Sequence, residues 1–166
     1  EPFVDLAIKR GKGIFVVNKT SFKPASRFQE MENVSGTKAW VRMAKTIAEI
    51  GNNIEKGEHG YSPIGTVMGA TYPEEAVTMK KVLPHAFKLI PGFGYQGGGA
   101  DDAVACLNQD GFGGIVNSSR AINYAWKRSE QHACPPGEFI LASAKEAEAS
   151  RDALNEAVKR KNGHLP

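Results

Sequence analysis

The sequence predicts an α/β fold built on a parallel sheet. Three observations carry that expectation. Short apolar or β-branched runs alternate with helical patterns along the chain. Each run is nearly continuous in apolar character, as strands covered on both faces of a parallel sheet are. No repeat, low-complexity tract or internal linker interrupts the alternation, so the spacing reads as successive βαβ units.

Taken in order, Phe3, Leu6 and Ala7 suit a first helix, with Pro2 tolerated in its first turn. The first strand is Gly13-Ile14-Phe15-Val16-Val17. Trp40, Val41, Ala44, Ile47 and Ala48 then recur at helical spacing, and the polar stretch from Gly51 to Ser62 reads as a surface loop. The second strand is Ile64 to Met68. Pro73-Glu74-Glu75-Ala76 opens the next helix, with proline near N1 and acids in the first turn. Ala86 to Ile90 is the third strand. Asp101-Asp102-Ala103-Val104-Ala105 opens another helix, and Gly114 to Asn117 is the fourth strand. The last helix runs from about Glu138 to Lys161, with basic residues late and Gly163 as its stop. Four strands cannot close a barrel that needs eight strands and typically about 250 residues. Either the sheet is open and doubly wound, or the chain is part of a barrel.

Composition narrows the function classes. The 166 residues are 41% hydrophobic and 23% charged, with a net charge of +3. That charge is too mild for a nucleic-acid surface and suits a small anionic ligand. Cys106 and Cys134 stand far apart without metal-ligand spacing, so neither a zinc site nor a disulfide framework is expected, and two reduced thiols in a cytoplasmic protein are. No run reaches the length of a membrane span. The N-terminus has no basic segment leading into an apolar one, so it is not a signal peptide. It lacks an initiator methionine and reads like a helix already under way in a longer protein.

In parallel α/β folds ligands bind in the loops that follow the strands. The first such loop, Asn18 to Gln29, is long, hydroxyl-rich and basic, which suits either a binding lid or a solvated surface. In the second, Gly69 to Pro73, Thr71 is expected to cap the following helix. The third, Pro91 to Gly99, contains Gly92, Gly94 and Gly97 in a G-x-G-x-x-G pattern. It is a poor dinucleotide fingerprint: two further glycines precede any helix, and Asn117 and Ser118 stand where an acidic residue is needed. It reads better as a flexible loop able to wrap an anion with its N–H groups. The fourth, Asn117 to Ile122, places Arg120 between a strand and a helix start, an arrangement suited to phosphate.

Together these loops resemble the bacterial-type (group 2) orotidine 5′-phosphate decarboxylases. The resemblance rests on Val17-Asn18-Lys19-Thr20-Ser21, on Val67 to Glu75, on Ile90 to Gly98 and on Ile115 to Ile122, in the family's order, and it weakens in the final helix. It implies a TIM (β/α)8 barrel of which this chain supplies about the last four βα units, within a single decarboxylase domain spanning residues 1–166. It implies conversion of orotidylate to UMP and CO2, without metal or organic cofactor, by a homodimer. Ser21, beside Thr20, would hydrogen-bond the pyrimidine. Pro91 would lie near the departing carboxylate. Gln96 would bridge the pyrimidine side and the phosphate. Arg120 and the backbone near Ser119 would hold the phosphate, with Gly92, Gly94, Gly97 and Gly98 forming the surrounding loop.

Two departures qualify the resemblance. Phe22-Lys23-Pro24 stands where the family has Asn-Pro after the Thr-Ser pair. The family's catalytic Asp-x-Lys-x-x-Asp motif has no counterpart, because Asp5 and Lys9 are spaced differently. The catalytic groups are therefore expected upstream, in a missing N-terminal half. The alternatives are another phosphate-binding barrel enzyme, of sugar-phosphate decarboxylase or aldolase type, and a non-catalytic nucleotide-binding fragment.

Overall fold

The computed structural model describes residues 2–128 and 134–165. Helix α1 (Pro2–Lys9) leads into strand β1 (Ile14–Lys19). A short helix α2 (Ser26–Gln29) and helix α3 (Ala39–Asn52) precede β2 (Ser62–Met68). Then come α4 (Pro73–Val82), β3 (Ala86–Pro91), α5 (Ala100–Ala105) and β4 (Gly114–Asn117). Two short helices, α6 (Ser119–Asn123) and α7 (Ala125–Arg128), and the long α8 (Phe139–Asn162) complete the described chain.

The four strands form one sheet in the order β1-β2-β3-β4, and every pair is parallel. A doubly wound sheet reverses its strand order partway across. This sheet does not, so it has the connectivity of a barrel arc.

Core packing explains which residues specify the elements. Trp40, Ala44, Ile47 and Gly51 fall on one buried stripe of α3. Together with Met79 of α4, Val104 of α5 and Val158 of α8 they cover Ile64, Met68 and Ile90, alternate residues of the central strands. Each such aliphatic side chain contributes about 1.5–3 kcal/mol by leaving water.

The opposite face departs from expectation. Phe15 is 45% exposed, Val17 65% and Ile115 52%, so among the described residues β1 and β4 are covered on one face only. The sequence pattern predicts strands covered on both faces; the described residues cover these two on one.

Helix ends follow simple electrostatics. Pro73 sits at the start of α4, with Glu74 and Glu75 in the first turn and Lys80 and Lys81 in the last. Thr71 does not cap this helix. Proline at N1 makes Tyr72 the N-cap, and the Thr71 hydroxyl instead donates to Ser21 O at 3.5 Å. The Asp102 carboxylate accepts from the Gly99 N–H at 2.8 Å and fixes the start of α5. Gly163 ends α8 at φ 83°, a left-handed conformation suited to glycine.

Candidate functional site

The C-terminal ends of the four strands converge, and glycines let them do so. A Cβ at Gly69 would lie 2.5 Å from Ser21 N, and one at Gly98 would lie 2.8 Å from Gly92 O and 2.9 Å from Ala70 Cβ. Gly92 has φ 100° and presses its backbone against Ser21 Cβ, a conformation and an approach that a side chain would oppose. The first three loops are therefore held in backbone contact.

On this framework Ser21 Oγ donates to Gln96 Oε1 at 2.7 Å, joining residues 75 apart in sequence. Ser21 is itself buried, at 8% exposure, and is not the exposed loop hydroxyl its position suggests. Thr20 is held by a neighbour: its N–H donates to Gln29 Oε1 at 3.3 Å, and Gln29 Nε2 donates to its hydroxyl at 3.4 Å.

Gln96 opens onto a cavity of about 230 Å³ lined by Pro91, Gly92, Phe93, Tyr95, Asn117, Ser118, Ser119 and Arg120. The third and fourth loops form it together, and Ser118 Oγ donating to Phe93 O at 3.3 Å ties them. The Arg120 guanidinium lies over the Tyr95 ring, 4.8 Å from its centroid. Such a stack limits the side chain's freedom while leaving N–H groups at its edge available. Asn117 Oδ1 is buried without a hydrogen-bond partner among the described residues, so the wall retains polar capacity.

Six of the anticipated residues thus line one space: Pro91, Gly92, Gln96, Ser119 and Arg120 directly, and Ser21 through Gln96. Gly94, Gly97 and Gly98 do not line it. The Gly94 N–H donates to Gly98 O at 2.9 Å, that of Gly97 to Gly94 O at 2.9 Å, and that of Gly98 to Gly92 O at 3.1 Å. The third loop is a closed double turn in which these three amides are satisfied internally. Its glycines at φ 100°, 74° and 93° shape the turn that presents Tyr95 and Gln96.

Sequence reasoning passed over Lys19. Its side chain is completely buried and pairs with Glu30 and, at 3.7 Å, with Glu75. Glu30 also pairs with Lys38 at 2.6 Å. Burial would raise the Glu30 carboxyl, but the hydrogen bonds and charges of Lys19 and Lys38 outweigh it and hold the group below the usual carboxylate range. Among the described residues no group of three His, Cys, Asp or Glu side chains could hold a metal ion.

No family model matches the chain. Curated relatives do. A Rhodopirellula baltica protein is 44% identical over 130 residues, which is 78% of this chain and 42% of that protein. A Clostridium perfringens protein is 40% identical over 158 residues, 95% and 53% of the two chains. A Clostridium tetani protein is 37% identical over 161 residues, 97% and 54%. All three are named orotidine 5′-phosphate decarboxylase. A solved Toxoplasma gondii protein, described as a candidate orotidine-monophosphate decarboxylase, matches with a TM-score of 0.75 and 27% identity over 95% of this chain and 54% of its own. The fold also matches Leishmania donovani UMP synthase, with a TM-score of 0.64 and 24% identity over 89% of this chain and 28% of that one. The four βα units correspond to part of these barrels, and the chain spans about half the length of the curated relatives it matches.

Proposed function

The chain is homologous to the orotidine 5′-phosphate decarboxylases, and from that premise we propose that it is the ligand-gripping part of an enzyme that converts orotidylate to UMP and CO2. The observation that carries the reading is the single cavity in which Gln96, hydrogen-bonded to Ser21, faces the same space as Arg120. One end of that space suits a pyrimidine amide edge and the other a phosphate dianion.

The roles follow from donor chemistry. Ser21 and Gln96 match the heterocycle's carbonyl and N–H groups, and Gln96 spans toward the phosphate. Arg120 supplies a charge-assisted, fork-shaped donor, aided by the backbone at Ser119. Pro91 presents an apolar wall beside the departing carboxylate. Loss of CO2 leaves charge in an in-plane orbital that the ring cannot delocalise, so an enzyme must stabilise that charge itself. In this reading the groups that do so lie outside the chain, on an N-terminal half with an Asp-x-Lys-x-x-Asp array. The chain's own contribution is remote binding energy, which drives closure and is realised in the transition state.

The uncovered sheet face supports the same reading. Phe15, Val17 and Ile115 form an apolar surface that further barrel strands would cover, and β1 and β4 present unpaired edges within this sheet. A homodimer in the cytoplasm completes the proposal. The alternative of a sugar-phosphate enzyme is disfavoured by the Ser21–Gln96 pair, which offers amide-edge recognition that a sugar phosphate does not need.

The test uses Arg120→Ala in the complete protein, assayed on orotidylate and on the nucleoside lacking the phosphate. Removing one partner of a close charge pair costs about 2–5 kcal/mol, roughly 30- to several-thousand-fold in kcat/KM. The loss is expected on orotidylate and not on the nucleoside. Equal losses on both would remove Arg120 from phosphate binding.

A further inference from the structure

Lys19 is the last residue of β1, and its side chain is fully buried. An ammonium taken out of water costs several kcal/mol unless its partners are excellent. Here they come from three elements. Glu30 lies on the segment between β1 and α3, and Trp40 on α3 has its ring centroid 5.8 Å away. Tyr72 and Glu75 stand at the start of α4, with the Tyr72 centroid at 4.0 Å and Glu75 Oε1 at 3.7 Å.

The same segment carries Thr20 and Ser21. Glu30 binds Lys19 at one end of it and Lys38, immediately before α3, at the other. Gln29, next to Glu30, closes back onto Thr20 through both ends of its amide. Ser21, two residues past Lys19, meets Gln96. The ion pair therefore closes a loop whose first turn contains the proposed pyrimidine contact.

We propose that Lys19 is a positioning residue: it latches this segment, through Glu30, onto the start of α4 and so holds Ser21 against Gln96. The role rests on the decarboxylase reading for its catalytic consequence, though not for the latch itself. Lys19 touches neither the cavity nor, in this account, the substrate.

Two measurements test it in the complete protein. The first is a cycle of Lys19→Met and Ser21→Ala. Because Lys19 acts through Ser21, Lys19→Met is expected to lower kcat/KM for orotidylate by no more than loss of the Ser21 hydrogen bond does, roughly 2- to 10-fold. Lys19→Arg recovers part of the loss, and in a Ser21→Ala background Lys19→Met costs little more. Losses that multiply independently of Ser21 would overturn the proposal. The second needs no substrate: tryptic cleavage of the native protein after Arg27 accelerates in Lys19→Met. Glu30→Gln, which keeps the side chain's shape but removes the charge paired with Lys19, is expected to do the same, with cleavage compared well below each variant's melting midpoint, and serves if Lys19→Met does not fold. Unchanged cleavage in the folded variants would sink the latch. Faster cleavage in a protein that leaves orotidylate untouched would sink the decarboxylase reading instead.

Discussion

The two ends of the sheet are built on opposite terms. At the C-terminal end, glycines bring loop backbones together and leave Gln96 and Arg120 exposed around a polar cavity. At the N-terminal end the polar groups are committed to one another. Lys88, completely buried on β3, donates to Asn108 Oδ1 at 2.9 Å, and Asn108 Nδ2 donates to Tyr61 Oη at 3.1 Å and to Pro84 O at 3.3 Å. Lys161 of α8 donates to Val104 O and Leu107 O, both at 2.9 Å, closing the end of α5. On the proposed reading, and apart from the buried Lys19 network at the C-terminal end, the contrast separates grip from stability: open donors would serve a ligand and closed networks the fold.

That separation predicts a stability effect without a kinetic one. Burial pushes the pKa of the Lys88 ammonium down to about 8 from the ordinary lysine value of 10.5. At Lys88 the unfolded chain then binds more protons than the native one between those values, so this group's contribution to stability rises with pH from about 8 to 10.5 and is lowest below 8, where both states are charged; the Cys106 thiol, pushed up to about 12 by burial, contributes the opposite sign above pH 9. Lys88→Met is expected to abolish this rise and to leave stability near neutral pH unchanged or up to about 3 kcal/mol higher, the orphaned Asn108 carbonyl offsetting part of the gain. Denaturant melts of the complete protein at pH 7 and pH 10 check it. A parallel loss of kcat/KM would break the division between the two ends.

A smaller effect of the opposite kind sharpens it. Ser21→Ala removes one hydrogen bond, worth about 0.5–1.5 kcal/mol, and so lowers kcat roughly 2- to 10-fold. The melting midpoint stays nearly constant, because water can replace the donor at the exposed Gln96. Unchanged kinetics would take Ser21 out of the site.

Much of this arrangement was legible in the residues. Apolar runs located all four strands, Pro73 and the acids after it located α4, and Gly163 marked the end of α8. The first strand runs on to Lys19, past Val17, because the register shifts after Val16 and the polar Lys19 still pairs with Met68 of β2. Short helices such as α6 and α7 lack the length for periodicity to register. The buried lysines were illegible for a different reason. A lysine is ordinarily solvated, and only tertiary partners from distant segments make burial tolerable. For Lys88 a signal existed, since its parity on β3 matches that of Ala86 and Ile90 on the covered face. Lys19 offered none, because its carboxylate partners lie 11 and 56 positions away across a loop and a strand.

The central claim is that the grip lies in this chain and the reacting groups lie in the rest of the barrel. Release of labelled CO2 from carboxyl-labelled orotidylate tests it most directly, with the complete protein and the 166-residue chain compared side by side. The account predicts rapid release by the complete protein and none above background from the chain alone. Turnover at enzymatic rates by the isolated chain, or none by the complete protein, would contradict it.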